Sequence, residues 1–177
     1  IVSRDWSSDV CSSDLTGFWI FLIDQVIKFF VLFQVFGLQW EQVRVPSDQL
    51  PRPETVEVFP PFLVLRMAWN RGVNFGLFAD YDMRWVLIGF AFAITAGVIW
   101  WLSRTGGTKW TFIAGGFLIG GAMGNVIDRF FYGAVADFLN MSCCGINNPY
   151  AFNVADIAIF IGAIGLAFLA EDNKKAT

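Results

Sequence analysis

The chain has 177 residues, of which 56% are hydrophobic and 18% aromatic, with 20 Phe and 8 Trp. Only 15% are charged, against roughly a quarter in ordinary soluble domains, and the apolar residues gather in long runs, so a multi-span membrane protein is expected. The net charge of −3 without a basic cluster argues against nucleic acid, and the lack of any histidine excludes Ser-His-Asp and Cys-His catalysis. With only three cysteines beside it, that lack also argues against a zinc site. Any acid–base chemistry must come from carboxylates or lysine.

Taken in order, residues 1–15 differ from the rest of the chain: they repeat Ser-Ser-Asp and lack the basic flank and cleavage site of a signal peptide. They read as a non-native segment resembling translated adapter sequence, with the native N-terminus missing, and residues 16–177 read as a single four-span domain. The first span is expected over about 17–37, long enough at 1.5 Å per residue to cross a core about 30 Å thick. Asp24 and Lys28 sit on one face of it with the acid first, which is either a self-neutralising pair or part of an active site. A polar, proline-rich interval occupies 38–82. Thr55–Phe59 and Phe62–Trp69 are β-prone, separated by Pro60-Pro61, and predict a small sheet on the membrane surface. Asn70-Arg71-Gly72-Val73-Asn74-Phe75-Gly76 is either a tight turn or a presenter of amides to a substrate backbone.

The remaining spans are expected over about 85–102, 110–131 and 152–169, with Trp85, Trp100, Trp101 and Trp110 at span ends. Basic residues fall in the 103–109 loop and the C-terminal tail and are absent from 132–151, which predicts cytoplasmic termini and two outward loops. Gly116, Gly120 and Gly124 recur every four residues and make a ridge that another helix can approach closely. Cys143 and Cys144 are adjacent in an outer loop, where neighbouring thiols are expected in preference to a strained disulfide.

The chemistry concentrates after that ridge. Asn125, Asp128 and Arg129 share a helix face, Asn153 and Asp156 open the next span at the same spacing, and Asp137 lies in the connection at a bend past Gly133. Charged groups at the end of an apolar helix need partners or a water-filled cavity. Asp128 has Arg129 beside it and suits an orienting role, whereas Asp137 and Asp156 are freer to share a proton and a water. On these grounds a catalytic dyad, a proton relay and a structural polar knot all remain open. A transporter is one rival, against which stands the lack of an inverted repeat. A scaffold subunit using the glycine ridge as its interface is another.

Five separated motifs, in order, resemble the lipoprotein signal peptidase (signal peptidase II) family. They are Asp24-Gln25-x-x-Lys28, Asn70-x-Gly72, Gly124-Asn125-x-x-Asp128-Arg129, Val135-x-Asp137-Phe138 and Phe152-Asn153-x-Ala155-Asp156. The resemblance covers essentially the whole chain from residue 16. It implies an all-α integral membrane protein with four transmembrane helices and a small periplasmic β-sheet element after the first helix. It further implies a monomeric aspartic endopeptidase of the bacterial inner membrane, active at the periplasmic face, that cleaves prolipoproteins before a diacylglyceryl-modified cysteine. Asp137 and Asp156 would be the catalytic pair, framed by Asn125, Asp128, Arg129 and Asn153. Asn70 with Gly72 would meet the substrate backbone, and Asp24 and Lys28 would support the site. No metal, nucleotide or organic cofactor is implied. Val73-Asn74 depart from the small residues usual after Asn-x-Gly in the family.

Overall fold

The computed structural model describes residues 6–72, 83–105 and 107–175. Val73, Asn74, Phe75 and Gly76 of the Asn70-to-Gly76 motif lie outside the described residues, as do the side chains of Glu171, Asp172, Lys174 and Lys175. Among the described residues there are four α-helices: α1 Trp6–Phe29, α2 Arg84–Thr105, α3 Lys109–Tyr132 and α4 Val154–Lys175. α1 opens upstream of the apolar run and passes into a π-helical turn, Phe30–Val35. Three helical stretches are long and apolar enough to cross a membrane: Cys11–Val35, Arg84–Thr105 and Lys109–Tyr132. Val154–Leu169 is a shorter apolar helix. The strands are β1 Val56–Phe59, β2 Leu63–Asn70 and β3 Val135–Asn140, in a three-stranded antiparallel sheet of order β1-β2-β3.

The chain divides into two compact units. The first comprises residues 1–24, 90–124 and 154–177, and is helical throughout its described elements. Small residues make its packing possible. A Cβ built on Gly116 would come 2.6 Å from the Ser13 carbonyl oxygen, and one on Gly120 would collide with that of Gly17. The ridge on α3 is therefore covered by α1 of the same chain, which removes it as the vacant interface a scaffold subunit would need. Across α3, Gly121 meets the Ala155 carbonyl and Gly162 of α4 meets Leu118 and Ala114. Leu102, Phe112, Ala114, Leu118 and Leu166 fill the space beyond. Thr108 starts α3, its amide donating to Thr111 Oγ1 at 3.2 Å in a reciprocal cap.

The second unit comprises residues 25–89 and 125–153. β1 and β2 form the hairpin expected from the proline break, with Val56 opposite Leu65. The third strand was not expected. Val135–Asn140 is buried along nearly its whole length, on both faces, so it lacks the alternation that marks a half-exposed strand. Ala68 stands opposite Asp137 and Asn70 opposite Val135. Beyond β3, Phe152 returns to bridge Leu139, the two exchanging backbone bonds of 2.8 and 2.9 Å. Val31, Leu32, Leu38, Val43, Leu65, Met67, Ala136 and Phe138 make the core beneath the sheet. Leu32 and Phe138 are fully buried, each contributing roughly 1.5–3 kcal/mol of transfer free energy.

Two expectations are corrected here. Asp137 is not at a bend in a loop but within a strand, because pairing with β2 on one side and Phe152 on the other straightens that segment. Cys143 and Cys144 are not separate thiols: their sulfurs are bonded to each other.

Candidate active site

Asp128 is wholly buried near the end of α3, and donors converge on its carboxylate. Lys28 Nζ lies 2.8 Å from Oδ2, the Ala136 amide donates to the same oxygen at 3.1 Å, and Gln25 Nε2 donates to Oδ1 at 3.2 Å. A charge taken out of water requires a counter-charge and filled lone pairs. Lys28 supplies the charge, while α1 and β3 supply the remaining bonds. The sequence suggested Arg129 as the partner that keeps Asp128 ionised. The structure places Lys28 in contact with Asp128. Arg129, half-buried, donates from a guanidinium nitrogen to the Asn125 carbonyl at 3.2 Å.

The network continues toward Asp137. Lys28 Nζ also donates to Asn125 Oδ1 at 3.3 Å, and Asn153 Nδ2 donates to the same oxygen at 3.2 Å. Asn153 Nδ2 donates in turn to Asp137 Oδ1 at 2.6 Å, a short, charge-assisted bond. Asn153 is fully buried and Asp137 only 3% exposed. The local cause is the strand pairing: because Phe152 locks onto Leu139, the next residue stands beside β3 and its amide faces Asp137. Helix α4 then begins at Val154.

In the other unit, Asp24 is fully buried and accepts a bond from the Ala155 amide at 2.9 Å. Its carboxylate therefore caps the first turn of α4, where an anion also meets the positive end of the helix dipole. Gly124 makes room for it, since a Cβ there would lie 2.5 Å from Asp24 Oδ2. Asp156 lies in that same first turn of α4 and is partly exposed. Asn70 ends β2 and accepts from the Gly72 amide at 3.1 Å, with Gly72 at φ +146°. The side-chain oxygen of Asn70 thus accepts a bond within its own chain segment.

Among the residues singled out from sequence, Lys28, Asn125, Asp128, Asp137 and Asn153 are joined in one bonded chain. Gln25 and the Ala136 amide belong to it and had not been given a role. Gln25 stands inside the Asp24-to-Lys28 motif, one turn from Lys28, and that spacing was the available signal. The Ala136 amide carried none, because it depends on β3.

Apolar helices long enough to cross a membrane, a small antiparallel sheet and a network of buried charged and amide side chains define a helical fold of membrane-protein character. Its fold matches a bacterial membrane enzyme solved by the in meso method at 2.3 Å, with a TM-score of 0.70 over 93% of this chain and 90% of that one, at 22% identity. A second such structure, at 1.9 Å, matches with a TM-score of 0.69, covering 88% and 90% at 23% identity. A family model described as signal peptidase (SPase) II matches residues 17–170. The chain is 38% identical to the lipoprotein signal peptidase of Rhodopseudomonas palustris over 160 residues, 87% of this chain and 88% of that one. It is 41% identical to that of Methylobacterium sp. strain 4-46 over 119 residues, 66% of this chain and 70% of the relative. The chain belongs to the signal peptidase II family. It is accordingly a protease that removes signal peptides from lipoproteins.

Proposed function

We propose that this protein is an intramembrane aspartic endopeptidase that cuts prolipoproteins immediately before a diacylglyceryl-modified cysteine, with Asp137 and Asp156 as its catalytic pair. The observation that carries this reading is Asp137 itself, a buried carboxylate held in one orientation by Asn153 at 2.6 Å. Behind Asn153 stand Asn125, Lys28 and Asp128, so the acid is supported by a rigid network of fixed charge. Pre-oriented groups of this kind are what acid–base catalysis requires. Asp156, partly exposed in the first turn of α4, supplies the second carboxylate.

One aspartate takes a proton from water as its oxygen bonds to the scissile carbonyl carbon. The other, protonated, gives its proton to the amide nitrogen as the C–N bond breaks. The lipid on the cysteine anchors the substrate in the outer leaflet, and this anchoring raises the effective concentration of the scissile bond at the acids. The protein acts as a monomer with four spans in the bacterial inner membrane. Both termini face the cytoplasm, in keeping with the basic residues Arg104 at the end of α2 and Lys109 at the start of α3, and the site faces the periplasm. Asn70 meets the substrate backbone beside Gly72, and Arg129 and Asp24 support the site. The chemistry uses no cofactor.

The test is cleavage of a diacylglyceryl-modified lipobox peptide by the detergent-purified full chain, beside folded Asp137→Asn and Asp156→Asn. Cleavage before the lipidated cysteine by the parent, and none by either variant, is the expected result. Cleavage surviving in one variant removes that acid from the pair.

A further inference from the structure

Past β3 the chain runs through residues 141–151, a loop the peptidase chemistry leaves without a task. Its tip is a two-residue turn in which the Cys143 amide donates to the Ile146 carbonyl at 3.3 Å and the Ile146 amide to Cys143 at 2.9 Å. Both central residues have positive φ, +60° at Cys144 and +82° at Gly145. Hairpin turns of this hand favour Asn, Asp or Gly at the first central position, and other side chains are strained there. Among the described residues, Cys144 is the only one besides glycine at positive φ. Its sulfur is joined to that of the preceding residue, and both cysteines are exposed. The covalent ring therefore holds a turn that the side chain by itself disfavours.

We propose that Cys143 and Cys144 form a reversible surface redox site, oxidised here, whose reduction loosens the loop and slows cleavage. The exchange partner is a dithiol. One of its thiolates attacks a sulfur of the pair to give a mixed disulfide, and the other cysteine leaves as a thiolate that takes up a proton. The reductant's second thiolate then attacks the reductant sulfur of that mixed disulfide, the bound protein cysteine leaves as a thiolate and takes up a proton, and the reductant departs as its own disulfide, so two electrons have passed to Cys143 and Cys144. Exposure at the tip of a loop gives such a reagent access.

The coupling runs along the chain. The loop leaves from β3, which carries Asp137, and returns at Phe152 and Asn153, which bridge back to β3 and bond Asp137. Its base is clasped by Asn140 Nδ2, which donates to the Asn148 and Tyr150 carbonyls at 2.8 and 2.6 Å. The Asn148 amide donates to Ser142 Oγ at 3.1 Å. Releasing the turn at Cys144 loads these clasps and, through them, the register of Asn153 beside Asp137. The effect on rate rests on the peptidase reading above, whereas the redox site does not.

Thiol labelling of the full chain, purified without reductant and then denatured, is expected to find one reactive thiol, at Cys11, and three after dithiothreitol. Three before reduction overturns the proposal. Reduction is further expected to speed amide exchange at Ile146 and Asn148 and to lower kcat/KM several-fold, with no response in the Cys143→Ser/Cys144→Ser double variant. Unchanged exchange, an unchanged rate, or an equal response in the double variant each overturns it. If the parent never cuts the lipobox peptide in either state, the peptidase reading fails. Labelling and exchange still decide the redox site.

Discussion

Lys28 Nζ lies 2.8 Å from Asp128 Oδ2, with the two side chains 3% and 1% exposed. A buried pair of this kind contributes little against an apolar pair of equal volume, but breaking it leaves a charge without compensation. Lys28→Met is therefore expected to cost about 3–5 kcal/mol, measured by unfolding in detergent. Adding Asp128→Leu to the same chain is expected to restore most of that loss. No recovery in the double variant would mean that the Gln25 and Ala136 bonds, and not the ion pair, carry the stability.

Asn153→Ala removes the donor that orients Asp137 at 2.6 Å. A hydrogen bond to a charged group is worth about 1.5–3 kcal/mol, so kcat/KM for a lipobox peptide is expected to fall about ten- to hundredfold in a protein that still folds. A wild-type rate would show that Asp137 needs no such positioning.

Gly124→Ala places a methyl group where a Cβ lies 2.5 Å from the buried Asp24 carboxylate. It is expected to lower the thermal midpoint sharply. Gly97→Ala is the matched control on α2, since nothing lies within 4 Å of its Cβ, and is expected to be neutral or stabilising by up to about 1 kcal/mol. Thermal scans of both variants in the same detergent decide the matter, and equal midpoints would discount the close approach at Gly124.

Asp24→Ala removes the acceptor for the Ala155 amide at the start of α4. Loss of such a cap costs about 0.5–2 kcal/mol. Faster amide exchange confined to the first turn of α4, beside Asp156, is the expected signature. Unchanged exchange there would assign the stabilisation of that turn to other contacts.

Much of the fold was legible because its causes are local. Apolar runs of sufficient length mark the helices, the Pro60-Pro61 break separates β1 from β2, and the four-residue glycine spacing marks a face open to close approach. β3 was not legible, since a strand buried on both faces shows no alternation, and its Asp137 interrupts what would otherwise read as an apolar run. The bond between Cys143 and Cys144 escaped for a related reason: adjacency alone does not reveal the backbone conformation that brings the two sulfurs together.

For the site, the sequence by itself determined which side chains were available: Asp24, Asp128, Asp137 and Asp156, Asn70, Asn125 and Asn153, a lysine in an apolar helix, and no histidine. Local spacing also showed that Asn125 and Asp128 share a face. Only the tertiary structure decided who partners whom. Lys28 reaches Asp128 and Asn125 across the helix interface, the β3 backbone delivers the Ala136 amide, and the Phe152–Leu139 bridge brings Asn153 to Asp137. The physical reason is that buried charges are satisfied by whatever packing brings to them. Helical periodicity reaches four residues along the chain, whereas these bonds join segments that meet only once the helices and the sheet have packed.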